Sequence, residues 1–378
     1  MRHVALVFAL VGPGLAPGLG AAQAVPRTDT PRGGTFRITF DPVITTWERE
    51  FTPSGRQTIG ATLRSVLGSG LTCDPIGGFF FCRLPGPPVR IRAERRVTPL
   101  VVEFGVTNRA ALIVRVPLVR VRTREFADST IRARLDSLLT DTTYRFAPLV
   151  NTARRLRYWP GDAEIEAKYR VVERSTWRVS TSLIARLATG HQDSPHRLFD
   201  LASGDDQLDI EAAITQELIL LDRLWLNAAL RVVRQQPGTR ERRIGPQATL
   251  LLPRAATALL DWNPGDYAAL DVAPLYRFSE SFAAGFTVSY LTRRRDRYTY
   301  RSAQDSIDVA ARLGAPIAAG VLDAGTSERH LRLGVALTYV GPDIEGGASI
   351  EQTVSASGGR VPAATVFRIV LRTSRWPF

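Results

Sequence analysis

The stretch His191-Gln192-Asp193-Ser194-Pro195-His196 gathers an imidazole base, a carboxylate and a hydroxyl into a few consecutive residues. Those are the groups of nucleophilic hydrolysis, in which a base takes the proton of an attacking hydroxyl and an acid orients the base. The stretch falls in a loop between predicted strands, where nothing fixes the geometry that catalysis needs. It reads as polar loop, and the chain is not read as an enzyme. The same two histidines lack Cys, Asp or Glu neighbours at a recognisable metal-ligand spacing. Glycine-rich phosphate loops are absent from the sequence, so no metal and no cofactor are expected.

Cys73 and Cys82 are the only cysteines. Their spacing matches neither a redox pair nor a zinc half-site. In an exported chain it points to a structural disulfide, with two free thiols as the alternative. Arg293, Arg294, Arg295 and Arg297, with Tyr298 and Tyr300, lie just past a predicted strand end. Arginine pairs bidentately with phosphate and aromatic rings suit a membrane interface, so this cluster is either a lipopolysaccharide contact or a solvated loop. The net charge of +13 is carried almost wholly by arginine, Lys168 being the only lysine. Because the arginines are spread along alternating strands instead of one face, nucleic acid is not an expected partner.

The elements that carry these residues have a period of two. Ala163, Ile165, Ala167, Tyr169 and Val171 alternate with Glu164, Glu166, Lys168 and Arg170, giving one greasy and one charged face. Trp177 to Leu187, Leu208 to Leu220 and Leu224 to Val232 repeat the pattern. So do Ala268 to Phe278, Phe282 to Tyr290, Leu331 to Tyr339, Ala348 to Val354 and Thr365 to Thr373. Thr35 to Asp41, Arg96 to Phe104 and Ala110 to Val121 complete a set of about twelve strands, within a range of roughly ten to fourteen. At the N-terminus, Arg2 and His3 precede an apolar stretch and Ala22-Gln23-Ala24, which predicts a signal peptide over 1–24. Beyond it no apolar run reaches the roughly 18 to 20 residues of a spanning helix.

Short connections at Gly105 to Asn108, Glu173 to Thr176, Leu221 to Arg223, Ser279 to Ser281 and Gly341 to Gly346 alternate with long ones. Alternation of this kind is what short periplasmic turns and long extracellular loops produce. The sequence closes on Trp376-Pro377-Phe378, and Trp376 and Phe378 read as the signal that barrel assembly machinery uses. A soluble β-sandwich also alternates, but its faces do not stay greasy over five or six positions. The expected fold is therefore all-β: one transmembrane, antiparallel, up-and-down barrel over 25–378 with long extracellular loops. It belongs in the outer membrane of a Gram-negative-type bacterium, among lipid and lipopolysaccharide. Helices are expected in the loops at Ser129 to Leu139 and Ser306 to Leu313, folded over the mouth. The first loop, Arg49 to Arg95, carries Phe79, Phe80 and Phe81 and is expected to be a plug or a cap. Glu164, Glu166, Lys168, Arg170, Arg178, Arg186, Asp209, Glu211, Glu217 and Arg231 should face the lumen. Their charges either pair and seal it or form a polar pathway.

Phe104-Gly105-Val106-Thr107-Asn108-Arg109, followed by Ala110 to Val116 and Pro117, resembles the turn and strand of the fatty-acid and aromatic-hydrocarbon (FadL-like) transporters. That family includes barrels associated with phenol degradation. Pro160-Gly161-Asp162 running into Ala167-Lys168-Tyr169-Arg170 is similar to the same group. The resemblance implies passive passage of small hydrophobic or aromatic molecules, often past an N-terminal plug. The Asn-Pro-Ala segment of the fatty-acid transporters' plug is missing, since Asn263-Pro264-Gly265 lies far from the N-terminus. The alternative function is a structural or surface-interaction barrel with a closed lumen. Neither the oligomeric state nor the solute is set by the sequence.

Overall fold

The computed structural model describes residues 27–59, 72–76, 79–83, 90–126, 129–148, 158–198, 200–245, 251–341 and 344–373. The expected signal peptide, Trp376 and Phe378 lie outside the described residues. Twelve antiparallel strands form a closed ring. β1 runs in two halves, Phe36–Phe40 and Val43–Trp47, interrupted at Asp41 and Pro42. It is followed by β2 (Arg90–Gly105), β3 (Ala110–Phe126), β4 (Glu164–Glu173), β5 (Trp177–Arg186) and β6 (Asp209–Leu220). The ring continues through β7 (Leu224–Gln235), β8 (Tyr267–Arg277), β9 (Phe282–Arg293), β10 (Glu328–Val340), β11 (Ile344–Gly358) and β12 (Thr365–Thr373). The seam closes where Thr39 and Phe40 pair with Arg372 and Leu371, and Val43 with Arg368. Closure removes every sheet edge, which is what lets strands cross a membrane with their backbone groups satisfied.

Alternation along each strand sets which side faces lipid. On β4, Ile165, Tyr169 and Val171 point outward and are 42%, 50% and 51% exposed, while Lys168 between them is 9% exposed. Several strands are longer than the sequence pattern predicts, β2 and β3 among them. β2 begins at Arg90 instead of Arg96, and β3 runs to Phe126, at 16 and 17 residues. Their outer ends carry arginine in place of a greasy stripe, so the periodic signal stops where the ladder does not.

Outside the ring, α1 (Ser129–Thr140) forms at the expected place. Its Leu135 and Leu139 are buried with Trp47, Ile91, Ala93, Phe146 and Val366, an apolar lid across the extracellular mouth. Two of the other long loops, 236–266 and 294–327, build a small domain. Gly238–Arg243, Thr257–Asn263 and Arg297–Tyr300 pair into a three-stranded sheet. Against it packs α2 (Ala303–Leu313), whose Ser302 hydroxyl accepts from Asp305 N at 3.1 Å and whose C-terminal Gly314 is left-handed. Ile244, Leu260, Trp262, Tyr298 and Val309 form the core of this domain. Residues 72–76 and 79–83 form a separate two-stranded sheet.

Candidate functional site

At the end of the barrel that carries the short turns, the residues just before β1 enter the lumen. Thr28 is fully buried and Arg27 is 4% exposed. Arg27 pairs with Glu345 of β11 and, at 3.4 Å, with Asp29. Its carbonyl accepts from the Lys168 ammonium, and Thr28 N donates to Glu217 Oε1 at 3.0 Å. Asp29 is held by Arg37 at 2.5 Å and Arg372 at 3.4 Å, and both arginines reach Glu103, at 2.5 and 3.7 Å. Arg27, Arg37, Lys168 and Arg372 thus meet Asp29, Glu103, Glu217 and Glu345 in one charged network. An unpaired charge in that environment costs several kcal/mol, so pairing is a condition of its burial.

The segment is anchored at the rim by the turn that carries the family resemblance. Thr30 Oγ1 donates to Asn108 O at 3.0 Å, Gly33 N to Asn108 Oδ1 at 3.1 Å, and Gly34 N to Gly105 O at 2.7 Å. A Cβ built on Gly105 would lie 2.1 Å from the carbonyl oxygen of Arg32. Glycine is needed there for the approach of a second backbone, beyond its use in the turn.

Between plug and lid lies a chamber of about 540 Å³. Val43, Val97 and Val119 are in register across β1, β2 and β3, with Pro99 opposite Pro117 beside them, and all five line it. Facing that apolar patch are Arg231 and Asp271, paired at 2.8 Å, and Tyr267. Arg186 joins Glu164 and Asp209 at 3.1 Å and Glu211 at 3.5 Å, while Arg115 takes the other oxygen of Glu164 at 2.5 Å. Asp41, where β1 is interrupted, pairs with Arg368. Arg95, on the same face of β2 as Val97, lines the chamber and enters no ion pair among the described residues.

The residues predicted to face the lumen divide between these two regions. Lys168, Arg170, Arg178 and Glu217 serve the plug: Arg170 donates to Thr30 Oγ1 at 2.8 Å, and Arg178 lies 3.8 Å from Glu217. Glu164, Arg186, Asp209, Glu211 and Arg231 belong to the charged network of the chamber wall, and Glu166 accepts from Ser182 at 2.6 Å between the two regions. The sequence reading missed the plug's Arg27, Asp29, Arg37, Glu103, Glu345 and Arg372. The loop from Arg49 to Arg95, expected to be a plug or a cap, lies partly outside the described residues, and the segment described inside the lumen precedes β1. Phe79, Phe80 and Phe81 lie on one strand of the separate two-stranded sheet, and Cys73 stands opposite Cys82 in its register.

The two clusters at the outer loops are dispersed. Arg293 pairs with Asp296 at 3.1 Å, Arg294 lies 3.9 Å from Asp266, and Arg297 sits opposite Asn263 in the extracellular sheet. Arg294, Arg295 and Arg297 are exposed, but Tyr298 is buried against Trp262. In the histidine-containing loop, Asp193 is clamped by Arg240 and by Arg242 at 2.5 Å. His196 Nε2 faces Glu241 at 3.9 Å, and Ser194 Oγ accepts from the His196 backbone at 3.3 Å. Acid, base and hydroxyl are thus committed to different partners.

No family model matches the sequence, and no curated protein matches it. Solved structures do. An outer-membrane channel from Pseudomonas putida F1 superposes with TM-score 0.53 over 95% of this chain and 98% of that one, at 10% identity. A monoaromatic hydrocarbon channel matches more loosely, at TM-score 0.39 and 10% identity over 91% and 90% of the two chains, too loosely to bear on function. At such identity the likeness is one of fold. The fold is that of an outer-membrane β-barrel, the class that the sequence resemblance implied. Within that class the chain shares the architecture of the Pseudomonas putida channel.

Proposed function

We propose that this barrel is a passive channel, plugged at its periplasmic end, for small amphipathic molecules with an apolar body and an acidic head. One observation carries the reading: the chamber joins a contiguous Val and Pro patch to Arg95, an arginine on the same face of β2 that enters no ion pair among the described residues. A ring laid on Val43, Val97 and Val119 keeps its carboxylate within the reach of β2's guanidinium, which forms charge-assisted, bidentate hydrogen bonds. The fully apolar solute that the resemblance implied finds too little greasy surface, because Glu164, Arg186, Arg231 and Asp271 complete the wall. Those pairs tune the lumen without closing it, since about 540 Å³ stays empty above the plug.

The test is uptake into liposomes by the refolded protein, comparing benzoate, toluene and a neutral sugar. Benzoate should enter several-fold faster than the other two, and Arg95→Gln should abolish that preference while the barrel still migrates as folded in unheated gels. Equal entry of toluene and benzoate would defeat the solute class. No entry of any solute, together with no conductance, would favour a structural barrel with a closed lumen.

A further inference from the structure

The extended outer ends of β2 and β3 present a second, unrelated concentration of charge. Arg95, Val97, Pro99, Pro117 and Val119 line the chamber, so alternation turns Arg92, Glu94, Arg96, Arg120, Arg122 and Arg124 to the outside of the barrel. The register then sets Arg92 directly opposite Arg124 and Arg96 directly opposite Arg120, with Glu94 opposite Arg122. Like charges on facing positions of a ladder destabilise it. Glu94 offsets little of this, because it is engaged by Arg96 at 2.5 Å. Arg92, Arg120, Arg122 and Arg124 enter no ion pair among the described residues, and the Nε atoms of Arg120 and Arg122 are buried with no hydrogen-bond partner. A bound anion would relieve that repulsion and supply the missing acceptors.

The position of the cluster indicates the anion. Immediately below it on the same outward face, Leu100 of β2 and Leu112, Val114, Val116 and Leu118 of β3 are exposed, the greasy band that meets acyl chains. Beside it, Arg120 stands 6.0 Å over the ring of Tyr158, and Trp159 pairs with Val119. Both aromatics are exposed, as interface anchors are. The arginines therefore sit where strands leave the acyl layer and enter the headgroups. We infer that the outer ends of β2 and β3 form a binding site for the phosphate groups of an outer-leaflet glycolipid, with Arg92, Arg120, Arg122 and Arg124 as its ligands. Guanidinium forks match phosphate oxygens two at a time, and one phosphate between Arg92 and Arg124 turns a repulsive rung into a bridged one.

The test uses the full barrel in detergent and reads the temperature at which its heat-resistant gel band is lost. It compares bis-phosphorylated lipid A, the same lipid stripped of phosphate, and inorganic pyrophosphate. The phosphorylated lipid should raise that temperature by several degrees, while stripped lipid and pyrophosphate should not. Replacing Arg92, Arg120, Arg122 and Arg124 by Gln should abolish the rise and weaken lipid A binding by roughly tenfold or more, whereas Gln at Arg294, Arg295 and Arg297 should leave it unchanged. If the fourfold variant does not fold, Arg122→Gln alone, with bound lipid counted by native mass spectrometry, carries the same comparison. A rise with stripped lipid would show acyl contact alone. A full rise with pyrophosphate would assign the site to a free anion. Either result, or a rise retained by the arginine variants, overturns the proposal.

Discussion

The two halves of the lumen use the same residue types to opposite ends. In the periplasmic half, Arg27, Asp29, Arg37, Glu103, Lys168, Glu345 and Arg372 are all engaged and largely buried. In the extracellular half, pairs such as Arg231 with Asp271 lie along the wall and leave about 540 Å³ between them, with Arg95 free of ion pairs among the described residues. The difference is the second chain segment. Where a polypeptide enters the lumen, its charges complete those of the strands and the interior seals. Where none enters, strand charges pair sideways with their neighbours and the centre stays open.

Removing Arg27 to Thr30 is the largest perturbation of that contrast. It should convert the lower half into a copy of the upper one, raising single-channel conductance severalfold while the heat-resistant band persists. Unchanged conductance would mean that the seal lies elsewhere. Glu345→Gln is milder, because the segment stays and Arg27 keeps Asp29 while losing the other of its two carboxylate partners. Breaking a buried pair costs about 3 to 5 kcal/mol, part of which relaxation recovers, so brief steps to higher conductance should appear above the level of the parent. A trace identical to that of the parent would show that this pair does not hold the plug.

The third comparison sets the lumen against the extracellular domain. Burial by itself raises the Asp193 carboxyl, but Arg240 and Arg242 outweigh it and bring it down to about 2. A lowered folded value means that the clamp's contribution is present above the ordinary carboxyl range and is lost as pH falls through about 2. The fall from 3.8 corresponds to roughly 2 kcal/mol at neutral pH. Protease cleavage of the outer loops should therefore be flat from neutrality to about pH 4 and rise below it, while Asp193→Asn should be cleaved readily at neutral pH. Cleavage of the parent rising already between pH 7 and 5 would assign loop order to other groups. The smallest effect is expected from replacing Cys73 and Cys82 together by Ser. A short loop closed by a disulfide contributes about 2 to 3 kcal/mol through the unfolded chain, which a barrel held by twelve strands does not need. Folded migration and conductance should match the parent, and loss of assembly would make this hairpin part of the folding core.

The strands were readable because lipid on one side and charge on the other impose a period of two at every position, as from Ala163 to Val171. The plug was not readable. Arg27 to Thr30 is too short and too polar to show any period, and its partners are single inward residues on β2, β4, β6, β11 and β12 that alternation marks only as charged. Gly105 and Asn108 were the visible trace of it, but turn chemistry accounts for both, and the approach of Arg32 to Gly105 appears only once the chain is folded. The extracellular sheet escaped for a related reason. Its three strands come from two different loops, so no local pattern announces the pairing of Leu260 with Tyr300.

The plug also bears on the order in which the protein is made. Arg27 meets Glu345 across 318 residues of sequence, so the first strand-flanking residues to be synthesised find their partners among the last. Contacts that distant form late, after the loop-closing steps that bring the strands together. Arg372, which completes the grip on Asp29, lies on the strand whose pairing with β1 shuts the ring. An unfinished barrel therefore has no finished plug, and sealing waits until the wall is complete.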